Sequence, residues 1–197
     1  MPFQVISKDN TVEQITEEFQ KEISQITDKK ELQQAFNNGL IELYQEVFSE
    51  PPYNEVFETS EVKNIFIDYL NQNGLVFIAK DQDQIIGFSA AMPIAQSSVK
   101  EAAQINNLPE SSWYIADLGI INSLRRQKLG TQLIESLLQS LPKKTLAVMR
   151  TAEKNYPSQN LFSQLGFKKL NFTQAVSQTR TDGQEQADVR IFLAKQL

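Results

Sequence analysis

The chain has 197 residues, of which 41% are hydrophobic and 22% are charged, and its formal net charge at pH 7 is −5. This composition is typical of one globular domain, and no apolar run approaches the ~20 residues of a membrane-spanning helix. The excess of negative charge argues against a nucleic-acid surface. The absence of cysteine and histidine excludes disulfides, thiolate nucleophiles and histidine bases. Proton transfer must therefore use a carboxylate, tyrosine, lysine, a terminal amine or water.

The first residues carry no basic start and no apolar signal core, so we expect a cytoplasmic protein. Residues 3–6 form a candidate strand, and Thr11 is a candidate N-cap. Four apolar residues then recur at helical spacing and predict a helix: Ile15, Phe19, Ile23 and Ile26. We assign residues 1–28 to an N-terminal extension with this strand and helix, and residues 29–197 to the main domain.

Two further helices are predicted next. The first covers residues 31–48 and ends before Pro51-Pro52, because proline cannot continue a helix. The second begins at the N-cap candidate Ser60 and ends at Asn73-Gly74.

The rest of the chain reads as strands joined by turns and helices. Apolar runs at residues 75–79 and 85–92 flank a polar turn and predict a hairpin. A polar loop follows, and later segments are listed in chain order: strand 114–120, helix 129–141, strand 145–149, helix 156–165, strand 167–176 and strand 188–193. Gly166 suits the position after a helix end. This order predicts a mixed α/β fold with one central, mainly antiparallel sheet flanked by helices.

The segment that links strand 114–120 to helix 129–141 is the most informative part of the chain. It holds the densest basic cluster, Arg125, Arg126 and Lys128, and reaches Gly130 at the helix start. Free backbone N–H groups and the positive end of a helix hold phosphate well, and arginines add charge. The alternative is an ordinary solvated turn.

This spacing resembles the pyrophosphate loop of the GNAT N-acetyltransferase superfamily, which reads Arg/Gln-x-x-Gly-x-Gly/Ala after a strand and before a helix. The matching residues are Arg125, Lys128 and Gly130, with lysine standing where the family usually has glycine. A second family pattern, Asn-x-x-Ala, Leu-Tyr and Gly-Phe, is matched downstream by Asn155, Ser158, Leu161-Phe162 and Gly166-Phe167.

The resemblance implies the acyl-CoA N-acyltransferase fold, acetyl-CoA as cosubstrate and no metal. It implies that the strand 114–120 splays from strand 145–149 to admit the pantetheine arm, and that the loop cradles the pyrophosphate. The implied cofactor-binding residues are Leu118, Gly119, Ile120, Arg125, Arg126, Gln127, Lys128, Leu129, Gly130, Thr131, Asn155 and Phe162. Helix capping is an equal alternative for Asn155, because asparagine before Tyr156-Pro157 is a good N-cap.

Candidates for proton transfer follow from the residue types near this segment. Asp117 lies between apolar neighbours in the strand, so its carboxylate must face solvent or a cleft, or be paired. Strand alternation puts it on the face of Ile115 and Gly119. Glu153 is the second candidate base, with a solvated loop as its alternative. Many family members have a tyrosine acid where this chain has Phe162, and Tyr156 is the candidate substitute.

An acceptor site is implied in the loop after the helix 31–48. There the resemblance suggests Tyr53, Glu55 and Phe57 as substrate-binding residues, and a plain helix–helix connector is the alternative.

The sequence thus predicts an N-acetyltransferase in which a small-molecule or peptide amine attacks acetyl-CoA directly in a ternary complex. Two alternatives stay open: a non-catalytic acyl-CoA-binding or sensing module of the same fold, and an interaction protein unrelated to CoA. We expect neither a nucleic-acid nor a membrane partner, and a homodimer is left open.

Overall fold

A computed structural model describes residues 21–197. Its strands are β1 (Lys21–Ile26), β2 (Leu75–Asp81), β3 (Gln84–Pro93), β4 (Trp113–Ile120), β5 (Leu146–Ala152), β6 (Lys168–Thr179) and β7 (Glu185–Gln196). Its α-helices are α1 (Lys29–Asn37), α2 (Leu40–Ser49), α3 (Thr59–Asn71), α4 (Lys100–Ile105), α5 (Leu129–Ser140) and α6 (Tyr156–Gln164). The strands form one sheet in the order β1-β2-β3-β4-β5-β7-β6. Neighbours in this described sheet are antiparallel except β4 and β5, which run parallel. The predicted mixed, mainly antiparallel sheet is confirmed.

The prediction that Ile23 and Ile26 belong to a helix is wrong. Both residues lie in β1, which pairs antiparallel with β2. Residues three apart in a strand point to opposite faces, and these two isoleucines pack into the cores on opposite sides of the sheet. The earlier part of that predicted helix and the strand 3–6 lie outside the described residues. The boundary between residues 28 and 29 stays a prediction, although β1 pairs into the common sheet.

The single helix predicted over residues 31–48 is two helices. The break falls at Gly39, whose φ of +96° is left-handed and suits glycine. The carbonyl of Asn38 accepts a hydrogen bond from the Ile85 amide at 2.9 Å, which ties the break to the start of β3. Helix α2 stops at Ser49 before Pro51-Pro52, as predicted. The apolar spacing continues through the break and favoured one helix, although Asn38-Gly39 is itself a turn signal.

Most later elements agree with their predictions within a few residues. The predicted loop after β3 differs, because it contains the short helix α4 and a 3₁₀ turn, Ile94–Gln96. Gly166 follows α6 with a φ of +88°, as its predicted position requires.

Two hydrophobic cores cover the two faces of the sheet. Helices α1, α2 and α3 pack on one face around Phe66 and Phe88, and we call this the α3 face. Helices α5 and α6 pack on the other face around Leu133 and Phe162, and we call this the α5 face. Each such fully buried side chain contributes about 1.5–3 kcal/mol to stability. Within the described part of the chain, no helix is both long and apolar enough to cross a membrane.

Candidate active site

Strands β4 and β5 separate in the middle of the sheet. They pair only from Trp113 with Ala147 to Ile115 with Met149, although both strands continue beyond these residues. The remaining backbone of β4, residues 116–120, does not pair with any residue of β5. The splay expected from the resemblance is therefore present, and it leaves a gap between the two strands.

A β-bulge lies where the gap opens. Asp117 pairs with Ala90 and Ile115 pairs with Ala91, so that Ala116 is an extra residue in β4. A bulge reverses the alternation of the side chains that follow it. Asp117 therefore projects to the α3 face, whereas Ile115 packs on the α5 face. The prediction that Asp117 shares a face with Ile115 is wrong for this reason.

Asp117 lines a cavity of about 360 Å³ on the α3 face. Charged side chains stand in this cavity among aromatic ones: Tyr44, Phe48, Tyr53, Glu55, Phe57, Asp68, Tyr69, Tyr114, Asp117, Arg150 and Arg190. All three predicted substrate-binding residues are in this set. The cavity thus combines aromatic walls with five charged side chains, and it is more polar than most small-molecule sites.

The surroundings of Asp117 shift its titration. Burial is the largest cause and raises its pKa from 3.8 to about 6, and the charge of Glu55 acts in the same direction. A hydrogen bond opposes the shift: the Tyr69 hydroxyl donates to Asp117 Oδ2 at 2.5 Å. A carboxyl with a pKa of about 6 is ionised at neutral pH and is a stronger base than an exposed aspartate.

The tyrosines around Asp117 remain protonated donors. Burial raises the pKa of Tyr69 and Tyr44, and the negative charge of Asp117 adds to the effect. Burial also raises the pKa of Tyr114, and the nearby Arg150 partly offsets it. Tyr69 therefore presents its proton to the carboxylate throughout the neutral pH range and holds it in place.

The negative charge of Glu55 is balanced by Arg190, a partner that the sequence pattern did not suggest. Its carboxylate accepts a hydrogen bond from Arg190 of β7 at 2.6 Å, and both side chains are buried. The same guanidinium lies 4.7 Å from the centre of the Tyr53 ring. Glu55 therefore anchors the loop after α2 to the sheet, and a direct contact with an acceptor cation stays a prediction.

The Tyr53 hydroxyl reaches across to the far side of the cavity. It lies 3.0 Å from Thr151 Oγ1 of β5 and accepts a hydrogen bond from Asn155 Nδ2 at 3.2 Å. Asn155 also caps α6, because its Oδ1 accepts from the Ser158 amide. The capping alternative for Asn155 is thus present, and its contact with a cofactor stays a prediction.

The basic loop leads from β4 to α5 as predicted. Arg126 and Lys128 adopt left-handed φ values of +64° and +65°, which explains why a glycine would suit position 128. Lys128 is the N-cap of α5, and its side chain makes no capping hydrogen bond. The first amides of α5, predicted to hold phosphate at Leu129, Gly130 and Thr131, thus receive no bond from the N-cap side chain.

Arg125 differs from its neighbours in this loop. Its guanidinium forms a salt bridge with Glu50 at 2.5 Å and donates from Nε to the Ile120 carbonyl at 3.1 Å. Gln127 accepts a hydrogen bond from Lys21 at 2.9 Å. Arg126 and Lys128 are exposed, and they are the better candidates for phosphate contact.

Two glycines next to the gap differ in how closely their surroundings are packed. A Cβ at Gly119 would lie 2.3 Å from Phe88 Cε1, and one at Gly130 would lie 3.1 Å from Leu161 Cδ1. The side chains of Leu118 and Ile120 pack on the α5 face, as expected. Their backbone is the part that borders the gap.

Phe162, Glu153 and Tyr156 are among the predicted site residues that lie outside the cavity lining. Phe162 is 1% exposed and packs edge-on against Phe167 in the core. Glu153 is exposed, and Tyr156 is 66% exposed at the start of α6. The arrangement does not bring these side chains together with Asp117.

Sequence reasoning missed several cavity residues, among them Tyr69 and Arg150. Tyr69 is a buried residue of α3, and nothing in the sequence distinguished it from a packing residue. Arg150 lies inside β5, directly after four apolar residues. A charged residue within a largely buried strand is the one signal that the sequence carried. Its Nη1 donates to Gln174 at 2.8 Å.

Comparison with known proteins agrees with this geometry. The model of the acetyltransferase (GNAT) family matches residues 33–167, which is more than half of the chain. No curated protein matches this chain. The chain belongs to the GNAT acetyltransferase family, and the predictions of this family, its fold and a GNAT-type N-acyltransferase are confirmed.

Solved structures share the fold at low sequence identity. A ribosomal-protein-alanine N-acetyltransferase from Brucella melitensis is 14% identical with a TM-score of 0.65, covering 89% of this chain and 99% of its own. The yncA protein from Salmonella typhimurium, solved with its cofactor acetyl-CoA, is 12% identical with a TM-score of 0.62, covering 89% and 94%. Arabidopsis thaliana NAA60, in complex with a bisubstrate analogue, is 13% identical with a TM-score of 0.60, covering 89% and 99%.

Proposed function

We propose that this protein transfers the acetyl group of acetyl-CoA to an amine that attacks it directly in a ternary complex. The observation that carries the proposal is the bulge at Ala116. It turns Asp117 into the cavity at the point where β4 leaves β5. The Asp117 carboxylate, which is the proposed base, and the edge of β4 that borders the gap thereby belong to the same short segment, residues 116–120.

The residues around the gap fit acetyl-CoA. The edge of β4 at residues 116–120 does not pair with β5 and offers backbone groups to an extended arm, although the Ile120 carbonyl accepts from Arg125. The start of α5, whose N-cap side chain makes no capping bond, offers N–H groups to a pyrophosphate. Arg126 and Lys128 add positive charge in a chain whose net charge is −5. Acetyl-CoA, when bound, supplies an activated thioester carbonyl.

Asp117 is the proposed base in this reaction. An amine reaches the cavity mostly as an ammonium ion and must lose a proton before its nitrogen can attack. With a pKa of about 6, the Asp117 carboxylate is available at neutral pH, and Tyr69 fixes its orientation through the 2.5 Å hydrogen bond.

The cavity favours an amine acceptor of modest size. Three carboxylates line it, those of Glu55, Asp68 and Asp117, together with the guanidinium groups of Arg150 and Arg190. The acidic groups are in excess, and negative charge attracts an ammonium ion. Aromatic residues Phe48 and Phe57 provide apolar surface for the body of the acceptor. A small-molecule amine and the end of a peptide both suit this arrangement.

The test measures acetyl transfer from acetyl-CoA to a panel of small amines, peptides with free N-termini and lysine peptides. Release of the CoA thiol reports the rate. Asp117→Asn should lower kcat/KM by ~10²–10⁴ while the acetyl-CoA affinity stays unchanged. Asp83→Asn, in the exposed turn between β2 and β3, is the matched control. A change below threefold for Asp117→Asn, with the acidic limb of the pH profile unmoved, would show that Asp117 is not the base.

A further inference from the structure

We infer that the Tyr53 hydroxyl gives its proton to the sulfur that leaves the acetyl group. The inference rests on the proposed acetyl transfer from acetyl-CoA. It assigns a catalytic role to a residue that the sequence suggested only as part of the acceptor site. Three observations carry it: where the hydroxyl lies, which of its hydrogen-bonding groups is unused, and what the other tyrosines do.

The hydroxyl lies at the gap between the splayed strands. Its neighbour Thr151, at 3.0 Å, stands two residues beyond Met149, which is the last residue of β5 paired with β4. Tyr53 itself belongs to the loop after α2 and lines the cavity that holds Asp117. The side chain therefore runs from the acceptor cavity to the strand edge that borders the gap.

The hydroxyl proton is free for another acceptor whenever Thr151 is the donor in its bond with Tyr53, and either hydroxyl can be that donor. Asn155 Oδ1 accepts from the Ser158 amide at 3.2 Å, which leaves Nδ2 to donate to the Tyr53 oxygen. The Thr151 hydroxyl can also donate to that oxygen. A phenol has two lone pairs and one proton. When both neighbours donate, the proton is free for another acceptor, and the same two donors hold the oxygen once its proton has left.

The other tyrosines of the chain do not meet these conditions. The chain has five tyrosines. The Tyr69 hydroxyl is committed to Asp117, and burial raises the pKa of Tyr44 and Tyr114 as well as that of Tyr69. Tyr156 is 66% exposed and is not part of the cavity lining.

The protons of the step balance when the amine enters as an ammonium ion. The ammonium ion first gives one proton to Asp117, which releases it to solvent. The neutral nitrogen then bonds to the acetyl carbon, the carbon–sulfur bond breaks, and a second amine proton passes to Asp117. The Tyr53 proton passes to the sulfur, so that the product leaves as a thiol. The proton on Asp117 then returns to the Tyr53 oxygen through solvent, which restores both groups without any further reagent.

The test compares the binding of CoA with that of desulfo-CoA, which lacks the sulfur, by calorimetry. Wild type should bind CoA about 2–10-fold more tightly, the value of one hydrogen bond. Tyr53→Phe should bind both ligands equally and keep the wild-type affinity for desulfo-CoA. The phenyl ring retains the packing on Phe48 and the contact with Arg190, so the fold should persist. Tyr156→Phe is the matched control and should keep the preference.

The outcomes separate this inference from the proposed function. A CoA preference that survives in Tyr53→Phe, or that is absent from wild type while CoA still binds, overturns the role of Tyr53 alone. Failure of wild type to bind either ligand overturns the proposed function, and the role of Tyr53 with it. With an amine that proves active, Tyr53→Phe should also lower kcat at least tenfold at unchanged acetyl-CoA affinity.

Discussion

Replacing Asp117 by asparagine should change the stability of the protein in a way that depends on pH. Burial raises the pKa of this carboxyl from 3.8 to about 6, so the folded chain holds the proton more tightly than the unfolded chain does. Its contribution to stability is fully present below pH 3.8 and is lost as the pH rises through 6. Asparagine does not titrate, so the variant escapes this loss.

The two pKa values set the size of the effect. Between pH 5 and pH 8 the wild type should lose about 1.4 kcal/mol of unfolding free energy through this one carboxyl. The stability of Asp117→Asn relative to wild type should rise by the same amount over that range. Any constant effect of the substitution, such as a weaker bond from Tyr69, cancels in this comparison.

Urea denaturation of both proteins at several values between pH 5 and pH 8 measures the difference without any substrate. Asp83→Asn provides the control for an exposed aspartate. A stability difference that stays constant across this range would refute the reasoning. It would mean that Asp117 is well paired in its ionised form and is not a base of raised pKa.

Three other substitutions test the loop and the packing around the gap. Arg126→Ala should weaken acetyl-CoA binding about tenfold at low salt and less at high salt, because screening weakens a charged contact with phosphate; calorimetry that finds equal affinities would contradict a phosphate role. Phe162→Tyr should lower the unfolding free energy by ~1–3 kcal/mol, because a hydroxyl would be buried at a side chain that is 1% exposed. Wild-type stability in urea would count against that burial. Gly119→Ala should cost ~1–3 kcal/mol in thermal unfolding, because its Cβ would lie 2.3 Å from the Phe88 ring. An unchanged melting temperature would mean that the ring moves aside freely.

The elements that depend on local sequence were predictable. A basic, glycine-bearing segment predicted the turn after β4, and a regular apolar stripe predicted helix α5. The predicted bounds of α5 agree with the structure within a few residues. Tyr53 lines the cavity that holds Asp117, and its role in binding an acceptor, which the resemblance to the family suggested, stays a prediction. Long-range pairing decided the rest of the elements: Ile23 and Ile26 lie in a strand because β2 offers an edge.

The chemistry of the candidate site depended on tertiary structure. The sequence by itself determined that Asp117 follows apolar residues and that no histidine could replace it. Only the sheet decided which way it points, because a bulge is a mismatch between two strands and β4 alone does not contain it. Tyr53 and Thr151 are 98 residues apart, and the burial of Phe162 depends on the packing of α6 against the sheet. Residue types limit which reactions a chain can catalyse, whereas contacts between distant segments decide which side chains share one cavity.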